Sequence, residues 1–138
     1  MRLSTYLNFS GNCEEAFRFY EQHLGGKVIA TMRWKDMPNA DEHTPPGMGD
    51  KVLHSHLQLA DTAVMGADIP GAEPMRSAYL TLSTDSNEEA EKVYGLLAEG
   101  GKVFMKMEGE TFFAYRFGQL QDKFGINWMI IRERPMEQ

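Results

Sequence analysis

The sequence predicts an α+β fold that is built from two consecutive βαβββ units. The first observation behind this prediction is an internal repeat, because a segment that runs from Tyr6-Leu7 to Gly25-Gly26-Lys27-Val28 returns between Tyr79-Leu80 and Gly100-Gly101-Lys102-Val103. The two copies are about 74 residues apart, which is far longer than a solenoid repeat and close to half of an ordinary domain. The second observation is that each copy has an alternating strand pattern, then an amphipathic helix pattern, then three more strand patterns.

The repeat sets the expected domain organisation. We expect a single domain over 1–138, with unit one at about 1–69, unit two at about 75–132 and a polar tail at 133–138 that frays. The linker between the units is the segment Pro70-Gly71-Ala72-Glu73-Pro74.

Unit one begins with a strand and a helix. Residues 3–10 alternate between apolar and polar, which is typical of a strand with two different faces. Asn12 followed by Glu15 has the spacing of a helix cap and its reciprocal partner, and Gly25-Gly26 ends the helix. Three strands follow at about 27–35, 51–59 and 62–67, with a tight hairpin turn at Ala60-Asp61. The apolar stripe of the helix is Cys13, Ala16, Phe17, Tyr20 and Leu24.

A long polar segment interrupts the strands of unit one. Residues 36–50 contain three prolines and two glycines, which predicts a long loop. Loops of this length are commonly lids, binding loops or mobile segments, and the sequence leaves these alternatives open.

Unit two repeats the same order. A strand at 77–84 leads to a helix that Ser86 and Glu89 cap and that Gly100-Gly101 closes. Strands at about 102–107, 111–120 and 126–132 complete the unit. We expect the segment 124–128 to form a turn and a packing anchor.

Composition excludes several classes of protein. The formal net charge is −6 and the pI is near 5.2, and the basic residues form no run, so a nucleic-acid partner is not expected. No segment approaches the roughly 20 apolar residues of a membrane span, and the first residues do not resemble a signal peptide. We therefore expect a cytoplasmic protein with no membrane partner. The single Cys13 excludes an intramolecular disulfide.

Several motifs give the chain its resemblance to a known family. Paired βαβββ units over essentially the whole chain resemble the vicinal oxygen chelate superfamily, which includes glyoxalase I, extradiol dioxygenases and bleomycin-resistance proteins. Within it the chain is similar to the PhnB-like branch, whose members have carried a methyltransferase label. The motifs that carry this closer resemblance are Tyr6-Leu7-Asn8-Phe9-Ser10-Gly11-Asn12-Cys13-Glu14-Glu15-Ala16, His54, Glu110-Thr111-Phe112-Phe113, Arg116-Phe117-Gly118 and Asp122-Lys123-Phe124-Gly125-Ile126-Asn127-Trp128-Met129.

The resemblance implies positions for a metal, and the residues there do not suit one. In the superfamily a divalent metal is held by side chains from the first and last strands of both units. The resemblance places these four positions at Thr5, Met65, Tyr79 and Met129. Zinc, nickel and iron prefer His, Cys or carboxylate ligands, so we expect no metal there and no other cofactor. The methyltransferase label finds no support either, because no Gly-rich nucleotide loop follows a parallel strand.

The strongest chemical candidates are two histidines on one predicted strand. His54 and His56 lie two residues apart, so both point to the same face, together with Gln58. The two histidines can act as acid, base, hydrogen-bonding groups or ligands of a relocated metal. The alternative is that they are a partly buried, hydrogen-bonded pair with a structural role. As metal ligands the two histidines supply only two donor groups, and Glu110 or His43 would have to provide a third.

The predicted strand at 111–120 divides its aromatic residues between two faces. Phe113 and Tyr115 share one face, whereas Glu110 and Arg116 share the other, where we expect them to form an ion pair. The alternative is that Arg116 binds a carboxylate or phosphate group with both arms of its guanidinium. The sequence does not determine which of these faces lines a cavity.

These observations leave three hypotheses for function. The first is a metal-free protein that binds a small apolar or aromatic molecule in a cup. The second is an enzyme that acts on a small carbonyl or aromatic compound, with His54 as acid or base or with a displaced metal at His54 and His56. The third is a protein that serves assembly alone. The resemblance also implies a homodimer. The predicted cup is lined by His54, His56, Met65, Phe113, Tyr115 and Met129.

Overall fold

The structure is a computed structural model that describes residues 1–135. The chain divides into two compact units, Met1–Glu73 and Pro74–Gln138. Each contains one four-stranded sheet and one long helix.

Unit one has the predicted βαβββ order. Its sheet has the strand order β1-β4-β3-β2, in which β1 is parallel to β4 and the other neighbours are antiparallel. A short 3-10 helix and the one-turn helix α2 lie between β2 and β3. The elements are β1 (Thr5–Phe9), α1 (Cys13–Leu24), β2 (Lys27–Arg33), the 3-10 helix (Trp34–Asp36), α2 (Ala40–His43), β3 (Val52–Leu59) and β4 (Thr62–Asp68).

Unit two repeats this architecture. Its sheet has the strand order β5-β8-β7-β6, again with one parallel pair, β5 and β8, at the end of the sheet. The elements are β5 (Leu80–Ser83), α3 (Asn87–Ala98), β6 (Lys102–Glu108), β7 (Ala114–Gln121) and β8 (Asn127–Glu133).

The repeated Gly-Gly pairs have the same function in both units. Gly25 and Gly100 have φ angles of 74° and 76°, the left-handed conformation that lets the chain leave a helix. A Cβ on Gly26 would lie 3.0 Å from the Gln58 carbonyl oxygen, and one on Gly101 would lie 2.1 Å from the Gln121 carbonyl oxygen. Each pair therefore ends the helix and brings the next strand against its neighbour.

The two helices begin in different ways. Ser86 caps α3 as predicted, because its Oγ accepts a hydrogen bond from the Glu89 backbone N–H at 3.0 Å. The prediction that Asn12 caps α1 is wrong, since its side chain makes no capping hydrogen bond. Asp68 at the end of β4 replaces it: one carboxylate oxygen accepts from the Gly11 and Cys13 backbone N–H groups, both at 2.9 Å. A residue distant in sequence therefore fixes the start of α1.

The segment 36–50 is folded at its base. Backbone hydrogen bonds join Trp34 to Lys51 and Lys35 to Gly49, so they continue the β2–β3 pairing beyond the strands. The Lys35 ammonium lies 2.7 Å from the Asp50 carboxylate. This contact raises the pKa of Lys35 and lowers the pKa of Asp50.

Two strands of unit two start later than the sequence predicts. β5 starts at Leu80 rather than at 77, and Ser77 has a positive φ of 52°. β7 starts at Ala114 rather than at 111, because the Thr111 hydroxyl accepts hydrogen bonds from the Phe113 and Ala114 N–H groups and forms a turn.

The predicted polar tail begins inside the sheet. Glu133 belongs to β8, and the Arg134 N–H donates to the Phe113 carbonyl oxygen at 3.1 Å. Arg134 also contacts Glu110 at 2.6 Å. The prediction of a fraying tail is therefore wrong for 133–134, and residues 136–138 lie outside the described part.

A buried aspartate organises the turn between β7 and β8. Asp122 accepts hydrogen bonds from the Phe124 and Ile126 backbone N–H groups and from the Trp128 indole at 2.8 Å. The segment 124–128 is thus the turn and packing anchor that the sequence predicts. Over residues 1–135, no helix is long and apolar enough to cross a membrane.

Candidate ligand site

Each sheet has one face that its helix covers and one on the opposite side. In unit one, α1 packs on the face that carries Leu7, Leu57 and Val64, all of which are buried. Because alternate strand residues point to opposite faces, the neighbours of these residues lie on the other side. We call this side the distal face of unit one. Its central residues, to which the name refers below, are Tyr6, Ala30, Met32, His54, His56 and Met65.

A row of directly paired residues crosses the distal face of unit one. Met65 lies between Tyr6 and His56, and His56 in turn lies opposite Ala30. His54 follows on β3, opposite Met32. The register therefore brings together three residues that the sequence selected, His54, His56 and Met65.

Tyr6 is the functional candidate that sequence reasoning missed. Its hydroxyl lies 3.1 Å from His54 Nδ1, and the two ring centroids are 5.7 Å apart. Partial burial raises the pKa of Tyr6, and the Cys13 thiol adds to the effect. The phenol is therefore protonated at neutral pH. Its position on the alternating first strand, three residues before buried Phe9, gave no sign of this contact, which joins β1 to β3.

The tyrosine–histidine pair has two proton arrangements. In one, the phenol donates to Nδ1 and the imidazole carries its proton on Nε2. In the other, Nδ1–H donates to the phenol oxygen and Nε2 has a free lone pair. With either arrangement the pair keeps one donor and one acceptor for a further molecule. This arrangement is suited to hydrogen bonding and to proton transfer.

The distal face of unit two has a different character. Its central row is formed by Thr81, Met129, Gln119 and Met105, which pair in that order. Phe117 lies on the same side of β7, and the Phe113 ring packs edge-on against it with centroids 5.1 Å apart. By the distal face of unit two we mean the surface formed by Thr81, Met105, Phe113, Phe117, Gln119 and Met129.

Tyr115 is not part of that surface. The pairing of β7 with β8 is irregular between Ala114 and Arg116, and Tyr115 lies at this irregularity. The Arg132 guanidinium lies 4.8 Å from the centroid of the Tyr115 ring, and the Arg134 guanidinium lies 5.8 Å from it. The contacts of Tyr115 are therefore those of a cation–π cluster.

The predicted ion pair between Glu110 and Arg116 is wrong. Arg116 Nε lies 2.9 Å from a carboxylate oxygen of Glu91 on α3, whereas Glu110 pairs with Arg134. The late start of β7 is the physical reason, because it removes Glu110 from the strand that carries Arg116.

The register changes two of the positions that the superfamily resemblance gave for a metal. Thr5 pairs with buried Val64 and so faces α1, whereas Tyr6 is the residue opposite Met65. Tyr79 precedes β5, and the residue opposite Met129 is Thr81. The four positions on the distal faces are therefore Tyr6, Met65, Thr81 and Met129.

These four side chains do not suit a catalytic divalent metal. A neutral phenol, an alcohol and two thioethers lack the imidazole, thiolate or carboxylate ligands that such ions require. Within the described chain, no group of three or more His, Cys, Asp or Glu residues is arranged to hold a metal ion. His54 and His56 remain a pair without a third ligand of this kind.

Two surface cavities lie away from the distal faces. One of about 340 Å³ is lined by residues of α3, β6 and β7, including Glu91, Tyr94 and Arg116. Another of about 210 Å³ lies at the start of α1 and includes Asp68 and Arg33. Neither includes a residue of the two distal faces.

Comparison with known proteins identifies relatives along the whole chain. The profile of a family described as 3-demethylubiquinone-9 3-methyltransferase matches residues 1–131. Protein YjdN of Escherichia coli strain K12 is 32% identical over 148 residues, which span 99% of this chain and all of YjdN. The crystal structure of protein PA1353 from Pseudomonas aeruginosa is 38% identical, with a TM-score of 0.84, and the match covers 98% of this chain and 99% of that chain.

Two further structures link the fold to the predicted superfamily. A PhnB protein from Bacillus cereus is 27% identical, with a TM-score of 0.73, over 96% of this chain and 99% of that chain. A glyoxylase/bleomycin resistance protein/dioxygenase domain from Frankia sp. EAN1pec is 15% identical, with a TM-score of 0.65, over 97% of this chain and 98% of that chain. The second likeness concerns the fold alone, and it confirms the prediction of duplicated βαβββ units.

Proposed function

The chain belongs to the PhnB-like family described as 3-demethylubiquinone-9 3-methyltransferase, within the vicinal oxygen chelate superfamily, and we propose that it binds a small apolar or aromatic molecule without a metal. The binding surface in this proposal is the distal face of unit one. The distal face of unit two supplies a second apolar surface.

One observation carries the proposal. On the distal face of unit one, a hydrogen-bonded tyrosine and histidine lie among thioether and methyl groups that are partly exposed. Tyr6 is 46% exposed and Met32 is 48% exposed, so the surface is accessible. Ligand sites in proteins typically combine an apolar lining with a few polar groups that fix orientation. Methionine side chains adapt to ligands of different shape, which suits such a lining.

The family description names methyl transfer, and we do not assign that reaction to this chain. A nucleotide-containing methyl donor commonly uses the free N–H groups of a glycine-rich turn between a strand and a helix. In the β1–α1 turn, the Asp68 carboxylate already accepts hydrogen bonds from the N–H groups of Gly11 and Cys13. This supports a structural role for the turn.

A second candidate function is acid–base catalysis on a small carbonyl or aromatic compound. The distance of 3.1 Å between the Tyr6 hydroxyl and His54 Nδ1 favours it, because the phenol can orient the imidazole and set its tautomer. His54 is then the catalytic acid or base, and His56 contacts the substrate. In a variant of this proposal, His54 and His56 bind a displaced metal, which then requires further ligands from other residues.

A homodimer and a cytoplasmic location belong to the same proposal. The edge strands β2 and β6 both have a pairing shift, at Ile29 and Phe104, and these side chains are 56% and 49% exposed. Apolar side chains that are this exposed on sheet edges support a contact with a second copy. Light scattering coupled to size-exclusion chromatography gives the molar mass that tests it.

Metal content is the first test of the proposed function. We expect no stoichiometric metal, by mass spectrometry, in protein that is purified without an affinity tag and then incubated with zinc, nickel, manganese or iron(II). Thr5→Ala and Met129→Ala leave the result unchanged. If the wild type binds stoichiometric metal and a His54→Ala, His56→Ala double variant does not, the proposal is wrong and the metalloenzyme hypothesis replaces it.

Variants of His54 separate binding from catalysis. If the protein only binds its ligand, His54→Ala weakens binding and no turnover occurs in the wild type. If the protein is an enzyme, the same change abolishes turnover and retains ligand binding and fold. Circular dichroism provides the control for folding in both cases.

A further inference from the structure

We propose that the distal face of unit one selects an uncharged aromatic molecule that carries a hydroxyl group, a phenol, and that this hydroxyl binds to the Tyr6–His54 pair. The inference rests on the proposed function, because it names the ligand class of the same surface. It adds Tyr6 as the residue that determines specificity.

The hydrogen-bonding capacity of the pair leads to a hydroxyl group. Tyr6 and His54 use one donor and one acceptor on each other at 3.1 Å, and they retain one of each. The free position at the Tyr6 oxygen accepts a hydrogen bond in one proton arrangement and donates one in the other, and a ligand hydroxyl, which does both, fits either arrangement. A carboxylate only accepts and an ammonium group only donates, so each fits the Tyr6 oxygen in only one of the two arrangements.

The charge of the surface favours a neutral ligand. The row formed by Tyr6, Met65, His56 and Ala30 contains no Asp, Glu, Lys or Arg. The charged residues of the paired strands lie towards the strand ends: Lys27 and Arg33 at the two ends of β2, and Asp68 at the end of β4. Moving an ionised group out of water without a close opposite charge is costly, so a charged ligand gains less on this surface than a neutral one.

The groups around the pair favour an aromatic ring. Met65 and Met32 present thioethers on either side of the two histidines, and sulfur atoms make favourable contacts with ring edges. Ala30 has only a methyl group, which leaves space for a flat ligand beside His56. A phenol places its ring on these groups while its hydroxyl lies at the pair.

The experiment compares three probes that share one ring. Chemical-shift titrations at pH 7.5 use p-cresol, toluene, which lacks the hydroxyl, and 4-methylbenzoate, which carries a charge. We expect p-cresol to bind wild-type protein about 3- to 10-fold more tightly than toluene, the factor expected of one net hydrogen bond. The shifts should centre on Tyr6, His54 and Met65.

Two tyrosine variants identify the group responsible. Tyr6→Phe should reduce the preference for p-cresol over toluene to less than 2-fold and leave toluene binding unchanged. Tyr79→Phe is the matched control, because Tyr79 lies outside the strands of unit two near Phe104. It should retain the wild-type preference.

The outcomes separate the inference from the proposed function. Equal affinity for p-cresol and toluene, or a preference for 4-methylbenzoate, would overturn the inference and leave an apolar binding surface. A preference that persists in Tyr6→Phe would also overturn it. If none of the three probes shifts the residues of this face, the proposed function itself fails.

Discussion

The two units share a backbone plan and differ in how their helices contact the sheet. α1 and α3 have the same length and occupy equivalent places in their units, yet α1 buries two aromatic side chains against its sheet, Phe17 and Tyr20. At the position of Phe17, α3 has Glu91, which pairs with Arg116 from β7. Unit one therefore has an aromatic helix–sheet interface, whereas unit two has a partly polar one.

The distal faces differ in a parallel way. In unit one the central row contains Tyr6 and His56, and its neighbour is His54. In unit two the corresponding row contains Thr81 and Gln119, and no residue of it titrates near neutral pH. The comparison indicates that backbone register was retained while side-chain chemistry diverged. Of the two rows, the one in unit one contains the tyrosine and the histidine.

The largest difference should appear when the helix–sheet contacts are truncated. Phe17→Ala should lower the free energy of unfolding by about 3–5 kcal/mol, because the side chain is 1% exposed and leaves a cavity. Glu91→Ala should cost less than about 1 kcal/mol, since its ion pair is at the surface. Urea unfolding measures both. Equal effects would contradict the distinction between the two interfaces.

Two glycine substitutions should change stability in opposite directions. A Cβ on Gly66 would lie 2.7 Å from Phe17 Cζ and 3.1 Å from the Leu7 carbonyl oxygen, so Gly66→Ala should destabilise by about 1–3 kcal/mol. Gly95 lies within α3 and its Cβ would meet no atom within 4 Å, so Gly95→Ala should stabilise by about 0.5–1 kcal/mol. Thermal unfolding provides the comparison, and the same sign for both variants would contradict the close approach of α1.

Cys13 should give unit one an alkaline sensitivity that unit two lacks. Burial raises the pKa of the thiol to about 12, and the charges of Asp68 and Glu14 contribute. In the unfolded chain the thiol ionises near pH 8.5. The folded state thus binds the proton more tightly, so its contribution to stability is complete below about pH 8.5 and declines as pH rises towards 12.

The test of this linkage is a comparison with Cys13→Ala. Between pH 7.5 and pH 10, the wild type should lose about 1–2 kcal/mol more unfolding free energy than the variant. The equivalent residue in α3 is Asn87, which does not titrate, and so provides no such change. Rapid alkylation of the native protein by iodoacetamide at pH 8 would refute the raised pKa.

The order of elements was predictable because it depends on local patterns. Alternation identified the strands, and the repeated Gly-Gly pairs located both helix ends. The late start of β7 was not predictable, since it depends on hydrogen bonds from the Thr111 hydroxyl that compete with strand pairing. The cap of α1 was missed for a related reason, because Asp68 reaches it from another strand.

The candidate site was predictable in part. The spacing of His54 and His56 placed both on one face of β3, and Met65 is their neighbour in the structure. The superfamily resemblance placed the first-strand position at Thr5 rather than at Tyr6. A shift of one residue moves a side chain to the other face of a sheet, so only the observed pairing with Met65 identifies Tyr6.

The sequence by itself determined the duplicated βαβββ plan, the two helices and the face shared by the two histidines. These features follow from periodicity along the chain, which needs no information about distant residues. The tertiary structure alone decided which first-strand side chain meets His54, which carboxylate starts α1 and which glutamate pairs with Arg116. Each of these contacts joins residues far apart in sequence, so it depends on strand register and on the start of each strand, which local pattern does not specify.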